Sequence, residues 1–315
     1  MEKDLRDFPK QCRVALTLGN EIKLGNVDRI ILAGVGGSSF AGEVLRALCQ
    51  GEIEVLLNRD YTIEEKIGKT TLVFIVSYSG NTEEALYALE EALEKNCKII
   101  GIACGGKLEK ICKERSIDFI KVPSGVQPRN SLGYLLIPML NILKNNSLIK
   151  SIDIETMIKE LNSEELEKEG KRIAEILFDK IPIIYSSDKL RCLSYGWKIR
   201  FNENSKIQAF SNVFPELTHN EIVGYTKKLG NFHAIIIKDR DDHDRIKKRF
   251  AITKDLIESK GVGCTTIETY GSTLISRIFC TLHIANWASY YLALKYGIDP
   301  EPVDIVDSLK KKLNE

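Results

Sequence analysis

From residue 28 to residue 123, short apolar runs alternate with helix-patterned stretches, and this alternation restricts what the chain can fold into more than any other feature. The runs cover residues 30–33, 53–57, 72–76, 99–103 and 119–122. They are apolar at nearly every residue rather than at every second one, so both faces of each strand are expected to be covered. The intervening helices supply the cover and the crossover that parallel neighbours require. The expected fold class is α/β, a doubly wound parallel sheet with flanking helices. In such a sheet a ligand sits beyond the C-terminal ends of the strands, where the strand order reverses.

The pattern lapses between about residues 144 and 171, a charged stretch without strand signals that reads as a helical connector. It then resumes, with strands expected at 181–185, 207–210, 233–237 and 265–269. Helices are expected through Trp197, at 245–259 and at 272–296. A chain of 315 residues suggests about two domains, set at residues 1–148 and 149–315. Tyr185-Ser186-Ser187-Asp188 ends a strand much as Gly36-Gly37-Ser38-Ser39 follows one in the first half, which hints at two copies of one fold.

Two strand-to-helix turns carry the polar chemistry. Ser77-Tyr78-Ser79-Gly80-Asn81-Thr82 follows the run at 72–76 and opens a helix at 83–95. The start of a helix leaves backbone N–H groups unpaired and carries partial positive charge, and hydroxyls add donors without a counter-ion, so the turn suits a phosphate group. Serine and threonine are also ordinary helix N-caps, and capping alone explains one such hydroxyl. The second turn, Gly34-Val35-Gly36-Gly37-Ser38-Ser39, follows the run at 30–33. Gly36 and Gly37 allow a ligand to approach the backbone, Ser38 and Ser39 add hydroxyls, and two such turns on adjacent strands would form one pocket. The ligand class is a phosphorylated small molecule.

Bulk properties exclude several alternatives. A formal net charge of +1 gives no basic excess for nucleic acid, and the lysines at 310–312 read as a solvated helix end. The eight cysteines are dispersed with no C-x-x-C pair, the pattern of reduced, mostly buried thiols rather than of a zinc site or disulfide framework. No apolar run reaches membrane-spanning length and the first residues lack a signal-peptide core, so a cytoplasmic location is expected. Gly34-x-Gly36 would need glycine at Ser39 to complete a dinucleotide fingerprint.

Two further segments are polar at positions suited to chemistry. Arg129, in Gln127-Pro128-Arg129-Asn130, follows the last strand of the first half and offers a fork of donors to an anion, or else makes a surface salt bridge. Glu203 closes a helical pattern, where the dipole opposes a carboxylate; this is either a site for a proton acceptor or a solvated helix end. His219 lies in the polar run Thr218-His219-Asn220-Glu221, either as a proton donor or within a helix start capped by Thr218.

The ordered set GVGGSS (34–39), SYSGNTEE (77–84), QPRNSLGY (127–134), FNENSK (201–206), FPELTHNEIVGY (214–225) and DPEPVDIVDSLK (299–310) resembles the archaeal-type bifunctional phosphoglucose/phosphomannose isomerases of the sugar isomerase (SIS) domain superfamily. The likeness runs from about residue 28 to 310, and Thr218 departs from it where asparagine is expected. The resemblance implies two SIS domains and a homodimer with active sites at domain and subunit interfaces. It implies a phosphorylated hexose substrate and no cofactor or metal. By the same matching, Ser38, Ser77, Ser79 and Thr82 bind phosphate and Arg129 stabilises an enediolate. Glu203 is the base, His219, from the same or a partner subunit, opens the sugar ring, and Lys310 matches a C-terminal active-site lysine. A non-catalytic sugar-phosphate sensor of the same superfamily is the alternative, and it would usually carry an added DNA-binding domain.

Overall fold

The computed structural model describes residues 1–313. Its elements run α1 (Glu2–Arg6), α2 (Phe8–Ala15), β1 (Arg29–Ala33), α3 (Gly36–Leu48), β2 (Glu54–Asn58), β3 (Thr71–Val76), α4 (Glu83–Glu94), β4 (Lys98–Ala103), α5 (Gly106–Glu114), β5 (Asp118–Lys121), α6 (Leu132–Asn145) and α7 (Ile154–Glu160). They continue with α8 (Glu164–Leu177), β6 (Ile181–Ser187), α9 (Arg191–Glu203), β7 (Phe210–Phe214), β8 (Phe232–Lys238), α10 (Asp244–Ser259), β9 (Gly263–Glu268), α11 (Leu274–Lys295) and α12 (Asp304–Leu313). Two compact units result. One holds residues 6–159 with 273–275, and the other holds residues 1–5, 160–272 and 276 onward.

The first unit carries a parallel sheet in the order β2-β1-β3-β4-β5. Its strands are covered on both faces, as their continuous apolarity requires. Ile31, Val73 and Ile75 pack with Ala85, Leu89 and Ala92 of α4 and Leu108 of α5, while Ile30, Leu32, Leu72 and Phe74 are equally buried on the other face. Order reverses between β1 and β3, whose register sets Ala33 opposite Ile75, so both strands end level at the site where ligands bind in this architecture.

The second unit repeats the design with a sheet ordered β7-β6-β8-β9, again parallel. Tyr185, Phe214, Ala234, Ile236 and Phe250 form the core under α10, with the Phe214 and Phe250 rings edge to face at 4.8 Å. One strand is displaced from its expected position: β7 occupies Phe210–Phe214 rather than 207–210. Lys206 adopts φ 57° and Asn202 Nδ2 donates to the Ile207 carbonyl at 2.9 Å. Residues 206 and 207 therefore complete the turn after α9, and the strand starts later. Among the described residues no helix is long and apolar enough to cross a membrane.

Candidate active site

In the first unit the turns after β1 and β3 meet. Ser38, in the first turn of α3, accepts at Oγ a hydrogen bond from the Tyr78 N–H at 3.2 Å, across 40 residues of chain. Ser77 Oγ accepts from the N–H groups of Gly80 (3.1 Å) and Thr82 (3.4 Å) and shares a proton with Thr82 Oγ1 at 2.8 Å. Thr82 stands at the N-cap position of α4, yet its side chain makes no capping bond, and Val35, the N-cap of α3, offers no side-chain oxygen. Simple capping therefore does not account for these hydroxyls. Ser38 and Ser77 are buried, whereas Ser79 is exposed and accepts from the Asn81 N–H at 3.3 Å.

Glycine is demanded where these turns pack. Gly80 has φ 71°, and a Cβ there would lie 1.8 Å from the Gly105 carbonyl oxygen. A Cβ on Gly37 would lie 2.6 Å from the Pro128 carbonyl oxygen, so the start of α3 abuts the one-turn helix Pro128–Asn130 that bears Arg129. Gly36 has φ 58° with open space beside it. Arg129 is buried and its Nη1 donates to Gln127 Oε1 at 3.4 Å, which removes the exposed surface salt bridge as its role. Gln11 braces this turn from behind, donating to the Asn130 carbonyl at 2.9 Å and accepting from the Gly133 N–H at 2.8 Å. Tyr78 OH donates to the Pro123 carbonyl at 3.0 Å and so holds the loop leading to Gln127.

The two helix starts differ electrostatically. α4 carries Glu83 and Glu84 in its first turn, whereas α3 has no acidic residue there, so the α3 pole is the better site for an anion. Arg59, which follows β2, was not singled out from the sequence. It donates from Nε to Ser39 Oγ and from Nη2 to Glu43, a carboxylate on α3 that is 5% exposed and is also bound by Arg46 at 2.6 Å. Its only sequence signal was its position just beyond a strand end.

The second unit does not repeat the cradle. Ser186 Oγ turns inward to the Leu190 carbonyl (3.1 Å) and Ser194 Oγ (2.9 Å). Beyond β8 stands Asp239, 3% exposed, which accepts from Arg277 Nε at 2.6 Å and from Thr269 Oγ1 at 2.7 Å. Despite burial, the hydrogen bonds from Thr269 and the Asp241 N–H, with Arg277 beside it, hold the Asp239 carboxyl below its usual range. An internal carboxylate thus fills the switch point that the first unit leaves lined with hydroxyls.

Glu203 is the last residue of α9 and is half-buried. Its neighbours sew the end of α9 to α11: Trp197 Nε1 donates to the Thr281 carbonyl at 3.0 Å, Asn204 Nδ2 to Ser289 Oγ at 2.9 Å, and Ser205 Oγ to the Ser289 carbonyl at 2.7 Å. Lys206 Nζ donates to the Glu203 carbonyl at 2.6 Å, a cation at the negative pole of the helix. Arg200, one turn earlier, is 3% exposed and bonds to Asn286 Oδ1 and to the Gly196 carbonyl at 2.9 Å. Burial pulls the Arg200 guanidinium down to about 10, and the charge of Glu203 opposes that pull.

His219 ends the one-turn helix Glu216–His219 and is exposed. Thr218 does not cap a helix there; its Oγ1 donates to the Pro215 carbonyl and accepts from Arg249 Nη1, both at 2.6 Å. Lys310 lies on α12, a helix with no buried residue. Among the described residues, no three His, Cys, Asp or Glu side chains are grouped as metal ligands. The cysteines are all free thiols, six of them buried, and burial pushes Cys112 up to about 11 and Cys280 up to about 12.

Residues 23–123 match the SIS domain family, and residues 166–313 match the bacterial phospho-glucose isomerase C-terminal SIS domain. The chain is 38% identical to a bifunctional phosphoglucose/phosphomannose isomerase of Caldicellulosiruptor bescii, covering 100% of this chain and 99% of that protein. It is 35% identical to one of Thermoplasma volcanium, covering 92% and 93%. A D-glucosamine-6-phosphate 4-epimerase of Sulfolobus acidocaldarius is 32% identical over 90% of this chain and 89% of that protein. Among solved structures, the C-terminal domain of glucosamine-fructose-6-phosphate aminotransferase from Francisella tularensis superposes with a TM-score of 0.75 at 16% identity, covering 96% of this chain and 97% of that one. That last likeness concerns the fold.

Proposed function

This chain belongs to the bifunctional phosphoglucose/phosphomannose isomerase family, and from that premise we propose that it interconverts glucose 6-phosphate and mannose 6-phosphate with fructose 6-phosphate through a cis-enediol. The observation that carries the reading is the Ser38, Ser77 and Thr82 cradle, with its hydroxyls left uncommitted to helix capping beside the buried Arg129.

The phosphate end takes no part in the bond changes, but holding it fixes C1 and C2 and turns a chance encounter into an oriented one. Ser38, Ser77, Ser79 and Thr82 with the α3 start hold the phosphoryl oxygens; Gly36, with open space beside it, lets the ligand reach the backbone, while Gly37 lets the α3 start pack against Pro128. His219 moves a proton between the ring oxygen and the anomeric hydroxyl, an exchange suited to an imidazole, whose two ring nitrogens can donate and accept. Glu203 takes the proton from C2 and returns it to C1, a role worth roughly 10² to 10⁴ in rate. Arg129 stabilises the oxyanion that develops meanwhile. Lys310 is assigned to the same site by its match to the family.

A cytoplasmic homodimer is part of the proposal. The homodimer is supported by the exposure of His219 on a segment that also exposes Val223 (67%) and Leu229 (81%), apolar surface suited to cover by a second copy.

The test is a product assay on glucose 6-phosphate, mannose 6-phosphate and glucosamine 6-phosphate in excess chelator. Fructose 6-phosphate from both hexose phosphates is expected, with no C4 epimer of the amino sugar. Turnover confined to the amino sugar, or activity lost to the chelator and restored by zinc, would overturn the reading.

A further inference from the structure

His219 stands between two anchors. On its N-terminal side Thr218 is bound to Arg249 of α10 at 2.6 Å. On its C-terminal side the Glu221 carboxylate is gripped at both oxygens: Oε1 accepts from Tyr185 OH at 2.6 Å and Oε2 from Asn212 Nδ2 at 2.5 Å. Tyr185 and Asn212 are register partners across β6 and β7, so one carboxylate reads a side chain from each of two paired strands. Tyr185 OH also bonds to Tyr225 OH at 2.7 Å, which closes the cluster from the far end of the same segment.

Residues 216–219 and 221–226 form two short 3-10 helices without a ladder of their own, so side-chain ties set their course. Attachment alone does not require a carboxylate, because Leu217 and the Tyr225 ring already bury themselves in the core. A half-buried carboxylate costs desolvation, which a neutral or apolar residue would avoid. What ionised, two-sided hydrogen bonding adds is direction, because charge-assisted bonds are short and hold their acceptor in one place. The burial of Tyr185 and the nearby charges of Tyr225 and Glu221 push its phenol far up, so it stays a donor to Glu221 at any working pH.

We propose that Glu221 is a positioning residue for His219: clamped to Tyr185, Asn212 and, through Tyr185, to Tyr225, it fixes the backbone from which the imidazole reaches the sugar ring oxygen. The proposal rests on the reading of His219 as the ring-opening group. In this role Glu221 acts through His219 and not on the reacting atoms, and Thr218 with Arg249 is the matching anchor on the other side.

The two steps can be separated in a Glu203→Gln background, where proton transfer at C2 is stopped and only ring opening and closing continue. The readout is the exchange of α and β anomers of glucose 6-phosphate by NMR, above the uncatalysed rate. Adding Glu221→Gln is expected to lower this exchange by roughly tenfold or more, within the usual span of a general acid–base contribution. Substrate affinity should change less than about threefold, since a positioning role touches rate and not uniform binding. Tyr225→Phe, which removes one outer bond, is the milder second variant and should give a smaller loss of the same kind.

His219→Asn in the same background separates the two ideas. If it slows anomer exchange and Glu221→Gln and Tyr225→Phe do not, the positioning role is wrong and the His219 reading stands. If His219→Asn leaves exchange intact, the ring-opening reading fails and the proposal falls with it. A Glu221 variant that loses affinity and melting temperature in proportion to exchange, with Tyr225→Phe doing the same, would make the clamp merely structural and also overturn the proposal.

Discussion

Ser38 Oγ accepts a hydrogen bond from the Tyr78 N–H at 3.2 Å, and through it the turns that follow β1 and β3 become one cradle. The cradle predicts a division of labour among its serines. Ser77 Oγ receives two backbone N–H groups and bonds to Thr82, so Ser77→Ala should both raise KM and lower thermal stability. Ser79 is exposed, and Ser79→Ala should raise KM alone. A hydrogen bond to a charged group is worth about 1.5–3 kcal/mol, which corresponds to a KM increase of roughly ten- to a hundredfold with kcat little altered. Steady-state kinetics on glucose 6-phosphate beside a thermal melt checks both halves.

Gly80 and Gly36 form a second pair for comparison. Both have positive φ, but a Cβ at Gly80 would strike the Gly105 carbonyl oxygen at 1.8 Å while Gly36 has no neighbour within 4 Å. Gly36→Ala should cost only the conformational term, about 1–2 kcal/mol. Gly80→Ala adds a backbone displacement and should cost more, on the order of 3 kcal/mol or above. Urea unfolding of the two variants would measure the difference, and equal losses would contradict the packing of the Ser79-Gly80 turn against Gly105.

Stability should fall on mild acidification for a definable reason. Burial first, then the charge of Arg200, holds His283 neutral, down to about 3, against an opposing pull from Glu167. Burial and Lys180 bring His233 to about 4. A histidine depressed in the folded state prefers its neutral form there, so its contribution is complete above the unfolded value of 6.5 and drains away as the pH drops toward the folded value. The window runs from about pH 6.5 down to about 4 for His233 and about 3 for His283, with losses of several kcal/mol in all. Asp239, depressed as well, acts only below its ordinary 3.8. Urea midpoints at pH 7.5, 6 and 5 should decline stepwise, and His283→Gln should flatten part of the decline.

Arg277 and Asp239 form a buried ion pair in the second unit, with side chains 5% and 1% exposed. Arg277→Met leaves the carboxylate without its guanidinium and should cost about 3–5 kcal/mol. Adding Asp239→Asn should recover part of that loss, because the stranded charge is removed. A double variant no better than the single one would show that packing, and not charge, is what Arg277 supplies.

The strands and the cradle were legible in the sequence because both arise from local chemistry. Continuous apolarity marked β1, β3 and β4, and clustered glycine and hydroxyl residues marked the turns after β1 and β3. β7 was displaced because the helical φ and ψ of α9 persist to Asn204 and Lys206 turns left-handed, neither of which a hydrophobic pattern records. Arg59 was not singled out, and Glu221 was named within its motif but given no role, because their partners are distant in sequence: Ser39 lies 20 residues from Arg59, and Tyr185 lies 36 residues from Glu221. The apparent likeness of Tyr185-Ser186-Ser187-Asp188 to the first cradle concealed an internal anion, Asp239, which only the folded sheet brings beside it.

The role proposed for Glu203 is to carry hydrogen between adjacent sugar carbons while the phosphate is held. Glucose 6-phosphate deuterated at C2, turned over by the native protein and by Glu203→Gln in water, tests it most directly by mass analysis of early fructose 6-phosphate. In that role the native protein is expected to pass a measurable share of the label to C1, and Glu203→Gln to lower kcat by roughly 10² to 10⁴ with KM nearly unchanged. Near-native turnover and label transfer in Glu203→Gln would contradict it.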